Sequence, residues 1–299
     1  MKCCFSLIKR NCKLFFKDKG MFFTALITPL ILLLLYATFL ANVYRDSFAS
    51  AMPEGFAIDE SIIDATVGGQ LISSLLAVSC VTVAFCSNLM TVQDKVTGAL
   101  KDLTVSPVRK SALAVSYFAA SALVTLIVTL SAFGICMFYL AKVGWYMSLS
   151  DVLLMLADVL LLTLFGTALA SCVNFPLSTN GQASAVGTVI SACYGFICGA
   201  YMPISNFSDG LQRALMFLPG TYGTSLLRSH AMNGVFEEMK SSGFPDEIVK
   251  MIGDSIDCNI YFSGNEVSIY AKYFILVGST AVLIGLYVLL NCLKKRSRK

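Results

Sequence analysis

Among the side chains that could carry out chemistry, one carboxylate stands out by its position. Asp158 lies seven residues after Asp151 in a long apolar segment, at a depth of about 10 Å if that segment is helical. Ionisable groups at membrane depth are functional candidates, and this one could relay protons in an ion-coupled transporter. A structural role, hydrogen-bonded or paired with Lys142 or Lys272, fits the same pattern. Both interpretations stay open.

The other chemistry-bearing residues form no catalytic or metal-binding pattern. The sequence contains neither G-x-x-x-x-G-K-[ST] nor G-x-S-x-G, so it predicts no ATP-binding phosphate loop and no nucleophile elbow. The single histidine, His230, is expected to be a solvated loop residue. Only Cys258 lies well outside the predicted membrane and cytosolic segments, which argues against an intramolecular disulfide framework. We expect no enzyme activity, no cofactor and no metal.

The elements that hold these residues are predicted to be membrane spans. Only 13% of the residues are charged and 57% are hydrophobic, whereas soluble domains carry about 25% charged residues. The net charge of +4 is too small to suggest a nucleic-acid partner. Uncharged runs that meet the length of a crossing predict an all-α membrane protein with six transmembrane helices. These lie at 21–41, 70–91, 112–140, 152–173, 183–203 and 273–293.

The distribution of Lys and Arg orients the spans. With the N-terminus inside, the predicted inner segments 1–19, 92–111, 174–182 and 294–299 hold 15 Lys and Arg, and the outer segments hold 7. The positive-inside rule then predicts a multi-pass protein of the plasma membrane with both termini in the cytoplasm.

Residues 1–19 are predicted to form a helix that lies in the membrane interface. Apolar residues such as Phe5, Ile8 and Phe15 recur at helical spacing, and basic residues occupy a largely opposed face. The basic face suits anionic lipid headgroups. The same charges could instead serve only as a topology signal, and both interpretations stay open.

Residues 93–111 concentrate six charges between two uncharged runs. The pattern predicts a short amphipathic helix from Asp94 to Val105, with Ser106 and Pro107 ending it and starting the next helix. Its apolar face suggests that it docks on lipid or on a soluble partner, although a solvated connecting helix would show a similar pattern. Its candidate contact residues are Val96, Leu100, Lys101, Asp102 and Leu103.

Small residues at spacings of three and four predict close helix packing in the second and fifth spans. The stripes could pack inside one subunit, or they could form a subunit interface or line a substrate path. The candidates are Ser73, Cys80, Ser87 and Thr91 in the second span, and Gly187, Ser191, Gly195 and Gly199 in the fifth.

The segment after the fifth span, 204–272, is predicted to combine outer re-entrant half-helices with a polar lobe. Residues 214–227 are uncharged but too short to cross a membrane, and Pro219 with Gly220 divides them. A surface amphipathic loop is the alternative. The whole chain is thus expected to be one transmembrane domain: interfacial helix 1–19, spans one to five in 20–203, the lobe, span six at 273–293 and a basic tail at 294–299.

Three stretches carry a resemblance to a known family. These are FFKDKGMFFTALITPLILLLLY, VTGALKDLTVSPV and GAYMPISNFSDGLQRALMFLPGTYGTSLLR, in this order along the chain. The chain resembles a permease subunit of an ABC exporter of the type-two class, a class that includes drug, polysaccharide and lipid exporters. The match covers nearly the whole chain, as a pattern of elements with degenerate motifs.

The resemblance implies a coupling helix between spans two and three that sits on a separate ATPase subunit. It makes Val96, Leu100, Lys101, Asp102 and Leu103 the expected ATPase contacts. It also implies two permeases, identical or different, that pair around a central path in the bilayer. The expected function is ATP-driven export of an amphipathic, drug-like, peptide or lipid-linked substrate. The alternative is an ion-coupled secondary transporter that uses Asp158.

Overall fold

The structure, a computed structural model, describes residues 2–35, 38, 45, 59–105 and 108–293. Its α-helices are α1 Lys2–Lys17, α2 Lys19–Leu35, α3 Glu60–Val96, α4 Ala99–Val105, α5 Lys110–Val143, α6 Leu149–Asn174, α7 Asn180–Ile197, α8 Asp209–Leu215, α9 Pro219–Ser241, α10 Asp246–Ser255 and α11 Ile269–Leu293. A 3₁₀ turn lies at Ile204–Asn206, and strands β1 Tyr261–Phe262 and β2 Asn265–Glu266 pair as a small antiparallel hairpin. The described part is therefore almost entirely helical.

Helix α3 is the central element. It begins after Asp59, whose side chain accepts a hydrogen bond from the Ser61 backbone N–H at 3.2 Å. Its 37 residues pack against α2, α5, α6, α7 and α9, and its apolar residues form much of the main core with Leu162 and Leu226. A helix of this length spans about 56 Å, so it extends beyond a hydrocarbon layer of about 30 Å.

Within the described residues, four helices are long and apolar enough to cross a membrane: α3, α5 from Ser111, α6 and α11. The pair α1 and α2, bent by 76° at their junction, gives a fifth if it is counted as one span. Helices α3, α5, α6 and α11 contain the predicted spans 70–91, 112–140, 152–173 and 273–293, respectively. An all-α membrane protein is confirmed, whereas crossings by the first and fifth predicted spans, and thus the six-span topology, stay predictions.

The predicted fifth span, 183–203, is shorter in the structure. Helix α7 ends at Ile197, and the chain then turns through Gly199, whose φ of +74° favours glycine. The Gly195 carbonyl accepts hydrogen bonds from the backbone N–H groups of Ala200 and Tyr201. These contacts end the helix six residues before the predicted boundary.

The two ends of the bundle differ in composition. The end that carries α1, α4 and the turn between α6 and α7 is called the α4 end. The opposite end carries residues 204–268 and is called the lobe end. Three predicted features lie outside the described residues: the end of the first predicted span, the Ser106–Pro107 turn and the basic tail. The undescribed residues concerned are 36, 37, 39–44, 46–58, 106, 107 and 294–299.

At the lobe end, α9 is longer than the predicted half-helices. The seven-residue α8 precedes it, and α9 runs for 23 residues against α3, α6 and α11. Gly234 lets α9 pass close to the α5–α6 connection, because an added Cβ would lie about 2.0 Å from the Tyr146 carbonyl oxygen. Helix α10 covers this end through contacts such as Val249 with Val235 and Met239.

Candidate functional site

The short helix α4 is docked against the bundle through its apolar face. The chain enters it through Gly98, whose φ of +84° makes the turn that separates α3 from α4. Leu100 and Leu103 are half-buried in a cluster with Leu7 of α1 and with Leu113 and Tyr117 of α5. The amphipathic helix predicted from Asp94 to Val105 is thus shorter in the structure, because residues 94–96 belong to α3 and α4 begins at Ala99. Its apolar residues Leu100 and Leu103 are directed at the protein's own helices.

The opposite face of α4 is open. Lys101 and Asp102 are exposed there, as is Val105 at 86% relative accessibility, and Val96, the last residue of α3, is also exposed at 47%. The five predicted contact residues thus divide into two groups, with Leu100 and Leu103 directed inward and the other three outward. Val105, which sequence reasoning omitted, is the most exposed apolar side chain on this surface. Val96, Lys101, Asp102 and Val105 are called the α4 surface below.

A partly buried ion pair joins α1 and α3 immediately before α4. Arg10 donates from both terminal nitrogens to Asp94, at 2.7 and 3.3 Å, and the Tyr117 hydroxyl donates to the same carboxylate at 2.5 Å. Asp94 is 7% exposed. The hydrogen bond to Asp94 raises the pKa of Arg10 above its usual value. This contact holds the basic helix α1 on α3 and α5.

The neighbouring residue, Lys95, ties α3 to the α6–α7 turn. Its ammonium donates to the backbone carbonyls of Asn174, Phe175 and Leu177 at 3.1, 2.7 and 2.8 Å. The last carbonyls of a helix lack intrahelical partners and carry partial negative charge, so a cation there is stabilising. Asp94 and Lys95, which lie immediately before α4, thus connect this part of the chain to α1, α5, the end of α6 and the α6–α7 turn. The sequence showed both charges, but their partners are distant along the chain.

The predicted packing stripe of α3 lies inside the subunit. Ser73, Cys80 and Ser87 are buried, and Thr91 is half-buried. The Ser87 hydroxyl lies 2.6 Å from that of Ser121, and the Cys80 thiol contacts the Val159 carbonyl at 3.8 Å. These contacts place the stripe against α5 and α6.

The stripe of α7 is divided between packing and exposure. Gly195 and Gly199 are buried, while Gly187 and Ser191 are half-buried. Much of the remaining α7 surface is open and includes small or polar residues as well as apolar ones. The exposed residues between Ser184 and Phe196 are Ser184, Ala185, Thr188, Val189, Ala192, Cys193 and Phe196.

The predicted environment of His230 is wrong, and the proposed lysine partners of Asp158 are replaced by other groups. His230 is buried on α9, and its Nδ1 lies 2.6 Å from Asp158 Oδ2. The Tyr273 hydroxyl donates to Asp158 Oδ1 at 2.6 Å. Asp158 is 1% exposed, so this cluster joins α6, α9 and α11 within the bundle. A buried carboxylate is tolerated there because both oxygens are paired.

Neither lysine reaches Asp158. Lys272 is buried and donates to the Ser225 hydroxyl and the Cys258 carbonyl, at 2.9 and 2.7 Å. Lys142 lies over the Phe138 ring, 5.7 Å from its centroid.

A second buried cation at the lobe end was not predicted. Arg228 is fully buried and donates to the Ser74 hydroxyl, the Gly199 carbonyl and the Ile256 carbonyl. Asp257 lies 3.6 Å from it, and burial raises the pKa of that carboxyl despite the nearby cation. With Lys272, this arginine fastens residues 256–258 to the bundle. In the sequence, Arg228 appeared only as the end of an uncharged run.

Together, these observations define a helical membrane protein with a docked amphipathic helix at one end and a lobe fastened by buried cations at the other. The sequence profile of the family described as ABC-2 type transporter matches residues 2–231, and the chain belongs to this family. It is therefore a membrane subunit of an ABC transporter. No curated protein shows a significant match to the chain.

Proposed function

We propose that this chain is the permease of an ATP-driven exporter and that a separate ATPase subunit binds the α4 surface. The observation that carries this proposal is the geometry of α4. Leu100 and Leu103 dock on α1 and α5, and a compact surface of charged and apolar residues, including Val105, remains exposed beside them. Both termini and the α4 end would face the cytoplasm of a plasma-membrane protein, as the distribution of Lys and Arg predicts.

The contacts that Asp94 and Lys95 make immediately before α4 support a mechanical role for this helix. Asp94 and Lys95 lie within five residues of α4 and bind α1, α5 and the α6–α7 turn. A force on the α4 surface would therefore act on several helices at once, because packed helices move as rigid elements. In this proposal, Leu100 and Leu103 anchor α4, while Lys101, Asp102 and Val105 contact the ATPase.

The test measures ATP hydrolysis by the complex of the permease with a co-expressed ABC ATPase subunit. Val105→Asp should weaken co-purification by about tenfold or more, because a buried apolar contact at an interface centre is replaced by a charge. It should not unfold the permease, since Val105 is 86% exposed. Met251→Asp is the matched control, because Met251 is also an exposed apolar residue, at 63%, but lies in the lobe helix α10.

The two variants separate the outcomes. Loss of substrate-stimulated hydrolysis in Val105→Asp and its retention in Met251→Asp would support the α4 surface as the ATPase contact. Normal complex formation and coupling in Val105→Asp and Lys101→Glu would exclude it.

We also propose that a second permease, identical or different, pairs through the exposed face of α7. Ser184, Ala185, Thr188 and Ala192 are small or polar and exposed, and such residues allow close helix approach. An amphipathic substrate, drug-like, peptide or lipid-linked, would move along this face. Cross-linking through the exposed Cys193 tests the pairing: a covalent dimer that forms in membranes supports it, and its absence with linkers of several lengths opposes it.

The ion-coupled alternative depends on Asp158. Its two oxygens are used by His230 and Tyr273, which supports a role in holding α6, α9 and α11 together. Transport by Asp158→Asn that keeps full dependence on ATP and none on an ion gradient would remove this alternative.

A further inference from the structure

A cavity of about 450 Å³ lies in the bend between α1 and α2, next to the start of α4. Its size falls within the range of about 300–1,000 Å³ that is typical of ligand pockets. Leu14, Met21 and Met90 supply apolar lining, and Arg10, Gln93 and Asp94 are among the polar groups that face it. An apolar wall and a polar wall in one cavity suit an amphipathic ligand. The cavity is called the elbow cavity below.

The free charge around the elbow cavity is positive. Arg10 and Asp94 neutralise each other, since they form a direct ion pair. Lys17 lines the cavity, is exposed and forms no ion pair within the described residues. Lys19 is also exposed at the bend. The other carboxylate of the lining, Asp18, accepts a hydrogen bond from the Met21 backbone N–H at 3.1 Å and offsets the charge of Lys17, so the lining itself carries no net charge. The positive excess at the bend comes from Lys19, and it favours an anionic group.

Arg10 also keeps hydrogen-bonding capacity. A guanidinium has five N–H donors, and the described bonds of Arg10 use three, two to Asp94 and one to Asn11. Its side chain is 34% exposed and lines the elbow cavity. A phosphate oxygen could thus be bound by Arg10 and Lys17 together, through charge-assisted hydrogen bonds.

The surroundings of the elbow cavity indicate a lipid. The 76° bend places α1 across the direction of α2, as expected for a helix that lies in the membrane interface. On α2, Phe23, Ile27 and Ile31 are each about half exposed and lead away from the cavity along the apolar helix. A headgroup in the cavity could therefore place its acyl chains on α2. A free phosphate would leave Leu14, Met21 and Met90 without a role.

We propose that the elbow cavity binds the headgroup of an anionic phospholipid from the leaflet that faces α1. Thr97 and Ala99 also line the cavity, on either side of the Gly98 turn into α4. The bound lipid therefore contacts both sides of this turn and stabilises the docked position of α4. This inference does not depend on the ATPase.

The experiment measures retention of phosphatidylglycerol by the purified full-length protein, using native mass spectrometry after exchange into phosphatidylcholine nanodiscs with graded phosphatidylglycerol. Lys17→Ala should weaken retention by about fivefold, because the phosphate loses a charge-assisted hydrogen bond from a residue that lines the cavity. Lys9→Ala is the matched control, since Lys9 is an exposed lysine of the same helix outside the cavity lining. It should change retention by less than about twofold.

A second variant tests the cavity itself. Gln93→Trp should fill the cavity and abolish specific retention, and unchanged thermal unfolding would show that the variant still folds. If Gln93→Trp unfolds, hydrogen exchange of residues 97–105 in the unmodified protein decides: slower exchange with phosphatidylglycerol than with phosphatidylcholine supports the site, and equal exchange overturns it.

Three other results would also overturn the proposal. Equal losses in Lys9→Ala and Lys17→Ala would show diffuse surface attraction. Displacement of phosphatidylglycerol by excess inorganic phosphate would show a soluble-anion site. Full retention by a folded Gln93→Trp protein would place the lipid elsewhere.

Discussion

Replacing Asp94 by alanine should release helix α1 from the bundle at the α4 end. The substitution removes three hydrogen bonds, two from Arg10 and one from Tyr117. Hydrogen bonds to charged groups contribute about 1.5–3 kcal/mol each when both partners are buried. The side chain of Arg10 is 34% exposed, so hydrogen bonds to water replace most of those that its guanidinium loses.

The Tyr117 hydroxyl is the group that is left without a partner, because Tyr117 is 3% exposed. A buried donor left unsatisfied costs about 1–3 kcal/mol. We therefore expect α1 docking to lose about 2–3 kcal/mol, which corresponds to a roughly 30- to 150-fold increase in the undocked fraction.

Hydrogen-exchange mass spectrometry of the amides in residues 2–17 measures this change directly. Exchange in α1 should accelerate in Asp94→Ala while the buried centre of α3 stays protected. Asp102→Ala is the control, because Asp102 is an exposed carboxylate on α4 and its loss should shift exchange by less than about 0.5 kcal/mol.

A double-mutant cycle that combines Asp94→Ala with Arg10→Met tests whether the ion pair holds α1 on the bundle. If the ion pair holds α1, the two substitutions should be non-additive by at least about 0.5 kcal/mol. Unchanged exchange in α1, or strictly additive effects of the two substitutions, would show that apolar packing alone holds this helix.

Three further predictions concern other contacts. His230→Phe should lower stability by about 2–3 kcal/mol in thermal unfolding, since the buried carboxylate of Asp158 keeps only one of its two side-chain partners; an unchanged midpoint would contradict this. Lys95→Met should speed hydrogen exchange in the α6–α7 turn by an amount equivalent to about 1–2 kcal/mol, because three carbonyls lose their cation, and unaltered exchange there would count against the contact. Cys258 should react far more slowly with maleimide at neutral pH than the exposed Cys292, because burial raises the pKa of its thiol to about 12; comparable labelling rates would show that the lobe opens.

Much of the architecture could be predicted from local sequence. Uncharged runs correspond to α3, α5, α6 and α11 because a membrane span must satisfy its backbone hydrogen bonds internally with apolar side chains. The amphipathic helices α1 and α4 were predicted for a related reason, since their apolar and charged residues separate at helical spacing. The length of α9 was underestimated, because its polar residues find partners across the bundle that no local pattern shows.

The assignment of residues at the candidate site was only partly predictable. Periodicity identified the apolar face of α4 but could not show whether Leu100 and Leu103 meet a partner protein or the chain's own helices. The structure directs them to Leu7, Leu113 and Tyr117, two of which come from α5 and one from α1. The exposed α4 surface follows from that docking.

The sequence by itself determined that this is a helical membrane protein, which of its segments are apolar enough to cross a membrane, and which family it resembles. The membrane class and the helices follow from composition and from spacings within one helix, whereas the resemblance rests on three stretches in a particular order along the chain. Only the tertiary structure decided the partners of the buried charges: Asp94 with Arg10, Asp158 with His230, and Arg228 with Asp257. The physical reason is that a buried charge must be paired, but its partner is chosen by proximity in space, across 84, 72 and 29 positions of the chain in these three cases.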